Sequence, residues 1–178
     1  MADSCVWIRT TPDLDGIYRV VLEIDDDTSH PLPVASAMVH ARAVLAAVAR
    51  AEYDAAVVRQ MTKVGKRGDK DHRHAATLVG MMRNDRPPIE WPSPLALEPG
   101  VSAFTGDPFL HVMIRGRIVG QWTIPDARDH AIGVLEAVEA AYLDGGYLRA
   151  LRTAGIDDPQ ARAVVDNLAT HRPEAVRG

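Results

Sequence analysis

Residues 40–59 and 130–149 spell the same helix twice. Aligned at an offset of 90, nine of twenty positions are identical: His40 with His130, Ala41 with Ala131, Val44-Leu45 with Val134-Leu135, Ala47-Val48 with Ala137-Val138, Ala51 with Ala141, Asp54 with Asp144, and Arg59 with Arg149. The three alanine matches carry little weight in an Ala-rich chain. The other six are informative, and the offset is close to half of the 178 residues. In the first copy Ala37, Met38, Ala41, Val44, Leu45, Val48, Ala51, Ala55 and Val58 recur at i, i+3, i+4 and i+7, an apolar stripe along one helical face. A helix with one such stripe needs a surface to bury it, so two equal copies predict a duplicated fold.

Strand-forming sequence precedes each copy. Val6-Trp7-Ile8 and the stretch 16–24 (GIYRVVLEI) are rich in β-branched and aromatic residues, with turn residues between them. Residues 109–124 (FLHVMIRGRIVGQWTI) read as a β-hairpin turning near Gly116. Helices are expected over about 33–61, 71–84, 127–143 or further, and 158–171. Their start signals are Pro33, Asp71, Asp126 and Asp157-Asp158-Pro159, and Gly65 and Gly68 stop the first. Gly145-Gly146 align with Ala55-Ala56 in mid-helix, so the third helix is expected to run through them at about 1 kcal/mol each.

Six of the twelve prolines fall in 86–108, which reads as an extended connector without a regular element. The expected fold is therefore α+β: one compact domain over 1–178, built of two pseudo-repeated ββαα halves, about 5–85 and 109–172. Their strands would form one antiparallel sheet with helices packed on one face. The shorter helices align at an offset nearer 86, which places about four extra residues of the first half in or near 59–73. A pseudo-twofold axis near Val48 and Val138 would pack the long helices antiparallel, bringing His40 to Asp144 and His130 to Asp54. Within one helix His40 and Asp54 stand about 21 Å apart along the axis and cannot touch.

Hydrophobic residues make up 47% of the chain, enough for a sizeable core, and only 5% are aromatic, which favours packed helices over an aromatic-lined pocket. Cys5 is the one cysteine, so no intrachain disulfide can form. The first residues lack a basic segment followed by an apolar run, and no unbroken apolar run approaches the ~18 residues of a membrane span. The expectation is a cytoplasmic protein with no membrane partner. Few lysines beside much Ala and Arg point to a GC-rich genome, such as an actinobacterium or one of its phages.

The net charge of −4 is unevenly spread. Arg59, Lys63, Lys66, Arg67, Lys70 and Arg73 face only Asp69 and Asp71 within residues 59–73, a local +4 that leaves −8 on the rest. These six cations are the candidate site for nucleic acid or phosphate, with salt-dependent, sequence-blind affinity. The segment holds no aromatic residue, so base stacking has no support within it. The simpler reading, which is preferred, is a solvated loop that balances the acidic body or pairs with Glu23, Asp25, Asp26 and Asp27 of another subunit.

The cluster Asp69-Lys70-Asp71-His72-Arg73-His74 contains metal-ligand residue types. Histidines at i and i+2 of a helix point apart, however, and cations interleave them, so it reads as a capped helix start, with no metal and no cofactor expected. GxSxG, the GKS/GKT phosphate loop, GxGxxG, HExxH and CxxC are all absent. The leading expectation is a non-enzymatic binding or accessory protein acting through protein contacts or self-association. The alternative is a nucleic-acid-binding protein using 59–73, and the third is a hydrolase whose Asp/His site assembles in space.

Overall fold

The computed structural model describes residues 6–13, 15–24, 28–65 and 69–170. In chain order these form β1 (Val6–Pro12), β2 (Tyr18–Ile24), β3 (Thr28–Leu32), α1 (Val34–Gly65), α2 (Asp69–Arg83), β4 (Leu95–Val101), β5 (Pro108–Ile114), β6 (Arg117–Trp122), α3 (Ile124–Thr153) and α4 (Asp158–Thr170). The fold is mixed α+β. Cys5, the run Asp25–Asp27, Lys66, Arg67 and the tail after residue 170 lie outside the described residues.

Two three-stranded antiparallel meanders, β1-β2-β3 and β4-β5-β6, replace the expected single sheet of four strands. The extra strands are the edge strands β3 and β4. β3 carries Pro31 opposite Val21, and β4 carries Pro99 opposite Leu110. A proline cannot donate to the ladder, but an edge strand has one side free of that duty, so both sequences pair despite their turn-like composition. β4 thus corrects the reading of 86–108 as a connector throughout. The second hairpin, β5-β6, turns at Arg115-Gly116 as expected, with a bulge at Val112/Met113.

The chain divides into two compact units. One is essentially residues 42–128, and the other joins 4–41 to 129–178. In the first, Val58 of α1, Ala75 and Val79 of α2 and Val101 of β4 share a core. In the second, Tyr18 of β2 packs with Ala141 and Leu148 of α3 and Ala161 and Val165 of α4. Each sheet is therefore grouped with helices from the other half of the sequence.

The stripe on α1 is buried as its spacing predicts, with Ala37, Ala41, Val44, Ala51, Ala55 and Val58 fully covered, although Leu45 is exposed. α1 is also long and apolar enough, by length and composition, to cross a membrane, and nearly half of that stretch is buried inside the fold. α3 begins three residues earlier than its expected start. Thr123 and Asp126 form a reciprocal cap: the Thr123 Oγ1 accepts from the Asp126 N–H, and the Asp126 carboxylate accepts from the Thr123 N–H. Asp126 is thus the second member of the cap and not the N-cap itself. α3 continues through Gly145-Gly146 to Thr153. Asp157 caps α4 through the Gln160 N–H. Asp71 lies inside α2, which starts at Asp69.

Gly100 pairs with Phe109 across β4-β5, and the ring lies over the glycine. A Cβ at position 100 would stand 2.4 Å from the Phe109 Cε2. Gly100→Ala is expected to push the ring aside and cost about 1–3 kcal/mol, read as a lower urea midpoint with unchanged m. An unshifted midpoint would mean the ring relocates freely.

Candidate functional site

Of the six predicted cations, the structure describes the side chains of Arg59, Lys63 and Arg73, all exposed. Lys66 and Arg67 lie outside the described residues, and Lys70 falls in the first turn of α2 with its side chain likewise undescribed. Arg59 and Lys63 sit one turn apart on the last part of α1, so they share a face. Arg73 stands on the second turn of α2.

A turn from a distant part of the sequence comes to Arg73 and to the neighbouring end of α1. Residues 102–107 form a tight loop between β4 and β5. The Ser102 N–H donates to the Asp107 carbonyl, the Gly106 N–H donates to the Ser102 carbonyl, and the Ser102 Oγ accepts from the N–H groups of Phe104 and Thr105. Gly106 seats the loop against both helices. A Cβ there would lie 3.1 Å from the His72 Cδ2 of α2 and 3.8 Å from the Val58 Cγ1 of α1. Phe104 stands at the apex, 75% exposed, with the Arg73 guanidinium 5.7 Å from its ring centroid. The aromatic that the basic segment lacks in sequence is supplied by the fold. Its signal was present: Phe104 is one of only two phenylalanines, and it lies among turn residues where no core requires it.

The buried polar residues among the described ones are His40, Asp54, His130 and Asp144, two aligned pairs. The partners of Asp54 correct its expected pairing with His130. The Asp54 carboxylate accepts from Arg83 Nε and from an Arg86 Nη, each at 2.6 Å, and Arg83 also donates to the Pro99 carbonyl at 2.7 Å. This cluster ties α1, α2 and β4 together. His40 and His130 face each other instead, Nε2 to Nε2 at 3.1 Å with the rings near perpendicular. Burial lowers the His40 pKa to about 4. Burial together with the neighbouring His40 lowers that of His130 to about 3, so both are neutral and one Nε2–H donates to the other ring. The aligned histidines were legible in sequence, but not that equivalent positions would meet.

A concavity of about 620 Å³ opens among Tyr18, Arg19, Tyr142, Leu148, Arg149 and Arg152. Two of its cations are already neutralised, Arg19 by Asp13 and Arg152 by Asp158. Both carboxylates are held below the usual range, Asp13 chiefly by the Ile17 N–H with Arg19 adding to it, and Asp158 chiefly by Arg152. Among the described residues no three His, Cys, Asp or Glu side chains converge as a metal site. No protein-family model, no curated protein and no solved structure matches the chain.

Proposed function

We propose that the protein is a non-enzymatic binding or accessory protein that works through contacts with other protein chains, a second copy of itself included. The observation that carries this reading is the outer face of α3. Ile132, Leu135, Tyr142, Leu143 and Tyr147 are 40–56% exposed there and recur at helical spacing, with Glu136 and Glu139 between them. Five large apolar side chains on one solvated helical face exceed the scattered exposure of an ordinary surface. Aromatic residues among them are what protein interfaces enrich. α1 is read here as a core helix, in keeping with the cytoplasmic expectation.

The reading includes a duplicated origin. The order β-β-β-α-α occurs twice, both sheets are simple meanders, and the buried polar residues fall on aligned positions. The finer ββαα halves of the sequence reading become βββαα on this view.

A photo-crosslinking phenylalanine analogue in place of Tyr142, in cells that make the protein naturally, is expected to form a discrete protein adduct. The same group in place of the exposed Glu98 is expected to form none. Adding Leu135→Lys and Leu143→Lys should abolish the adduct at 142. Absence of any adduct, or equal adducts at both positions, refutes the α3 face as the contact surface.

A further inference from the structure

We propose that the Phe104 loop, with Arg59, Lys63 and Arg73, is a binding site for single-stranded nucleic acid. It is a second surface, independent of the α3 reading. The loop is fixed at both ends by its own backbone hydrogen bonds and by the seat of Gly106 on His72 and Val58, so Phe104 is presented by a rigid turn. An unused phenylalanine on such a turn would normally fold back onto apolar surface. Here it stays 75% exposed, and its one described ring contact is a cation.

Arg73 lies over the ring, and most of the Phe104 side chain stays open to solvent. An unpaired base stacks on a free aromatic face, and a neighbouring guanidinium strengthens such stacks. A base inside a duplex has no free face to offer, which selects single strands. Phosphates on either side of the stacked base meet Arg73 directly. Arg59 and Lys63 lie on the same end of α1, turned about 100° and 140° around the helix from the buried Val58 that the loop packs against, so a bound strand meets them by running on from Arg73 over the helix surface. Asp107, exposed at the end of the loop, is the one described acid in the loop and leaves the surface net positive. An acidic protein segment would find the same cations, but it would make no use of the exposed ring, so nucleic acid fits the site better.

The test measures fluorescence anisotropy of the full chain with labelled 20-nucleotide single strands of DNA and of RNA, a DNA duplex, and polyglutamate, at low salt. Both single strands are expected to bind more tightly than the duplex, and their relative affinity identifies which nucleic acid the site prefers. Phe104→Ala should weaken single-strand binding about tenfold, and Phe104→Trp should retain it. The paired change Arg59→Ala with Lys63→Ala should lower the slope of log affinity against log salt by ~1.4, about 0.7 for each lost phosphate contact. Because Phe104 is exposed, its variants should keep the parent melting temperature, and the Trp variant serves as a folded control in any case. No single-strand binding at low salt overturns the proposal. So does binding that Phe104→Ala leaves unchanged, or polyglutamate binding as tight as that of the single strands.

Discussion

Asp54→Ala is expected to remove about 3 kcal/mol of stability, a large share of what a unit this size possesses. The carboxylate has no exposed surface, and both of its oxygens are used, one by Arg83 and the other by Arg86. Removing it leaves two guanidinium groups facing each other with nothing between them. Breaking a buried pair from one side costs about 3–5 kcal/mol. The lower figure applies because each arginine side chain keeps about a quarter of its surface exposed (27% and 28%) and regains some water. Asp54→Asn keeps the shape and one acceptor oxygen, so it should fall between. The reference is Glu52→Ala, which breaks the exposed pair with Arg128 and should cost well under ~1 kcal/mol. Urea unfolding of the three variants decides the matter. Equal losses for Asp54→Ala and Glu52→Ala would mean that the buried cluster is no stronger than a surface pair.

Acid should destabilise the protein through the histidine pair before carboxylates dominate. Both imidazoles are neutral when folded, with pKa values lowered to about 4 and about 3, against about 6.5 in an unfolded chain. The unfolded state therefore binds the protons more readily. The stability that depends on neutral imidazoles is complete above about pH 6.5. It is lost as the pH falls from there toward the folded values. At pH 5 each ring would forfeit roughly 2 kcal/mol, so the pair accounts for about 4 kcal/mol between pH 7 and pH 5. His130→Gln should roughly halve the slope of stability against pH in that window while retaining a hydrogen-bonding group opposite His40. A slope unchanged by the substitution would place the acid sensitivity elsewhere.

The helices were legible in sequence because their signals are local. Apolar spacing gave α1 and α3, Pro33 marked the start of α1 whereas the cap of α3 lay at Thr123 and not at Asp126, and the alignment of Gly145-Gly146 with Ala55-Ala56 argued correctly against a break. The edge strands were not legible, since Pro31 and Pro99-Gly100 look like loop chemistry and only a partner strand makes them otherwise. The proposed Phe104 surface was half legible. Charge density marks 59–73, but Phe104 lies 31 residues beyond Arg73, and no local pattern reports that a later turn will dock on an earlier helix. The partners of the buried polar residues depended on where the two long helices meet. An axis placed at Val48 and Val138 paired imidazoles with carboxylates, whereas the contact at His40 and His130 leaves Asp54 to the arginines that α2 and its following turn supply.

The grouping of each sheet with the later or earlier helices also sets the order in which the chain can fold as it is made. Residues 42–128 are contiguous, so that unit can close soon after Trp122 leaves the ribosome. The other unit cannot. Tyr18 of β2 needs Ala141, Leu148 and Val165, and Ile8 of β1 packs where Gly133 will be, so β1-β2-β3 must wait while all of 42–128 is synthesised. At ~5–20 residues per second that wait is on the order of ten seconds. During it a meander with Val20, Leu22 and Ile24 in its central strand stands without its helices. Three short strands do not hold an exposed apolar face safely for that long. The β1-β2-β3 segment is therefore expected to be the part of the nascent chain that leans most on a chaperone, and slowing translation between codons 42 and 128 should lower the soluble yield.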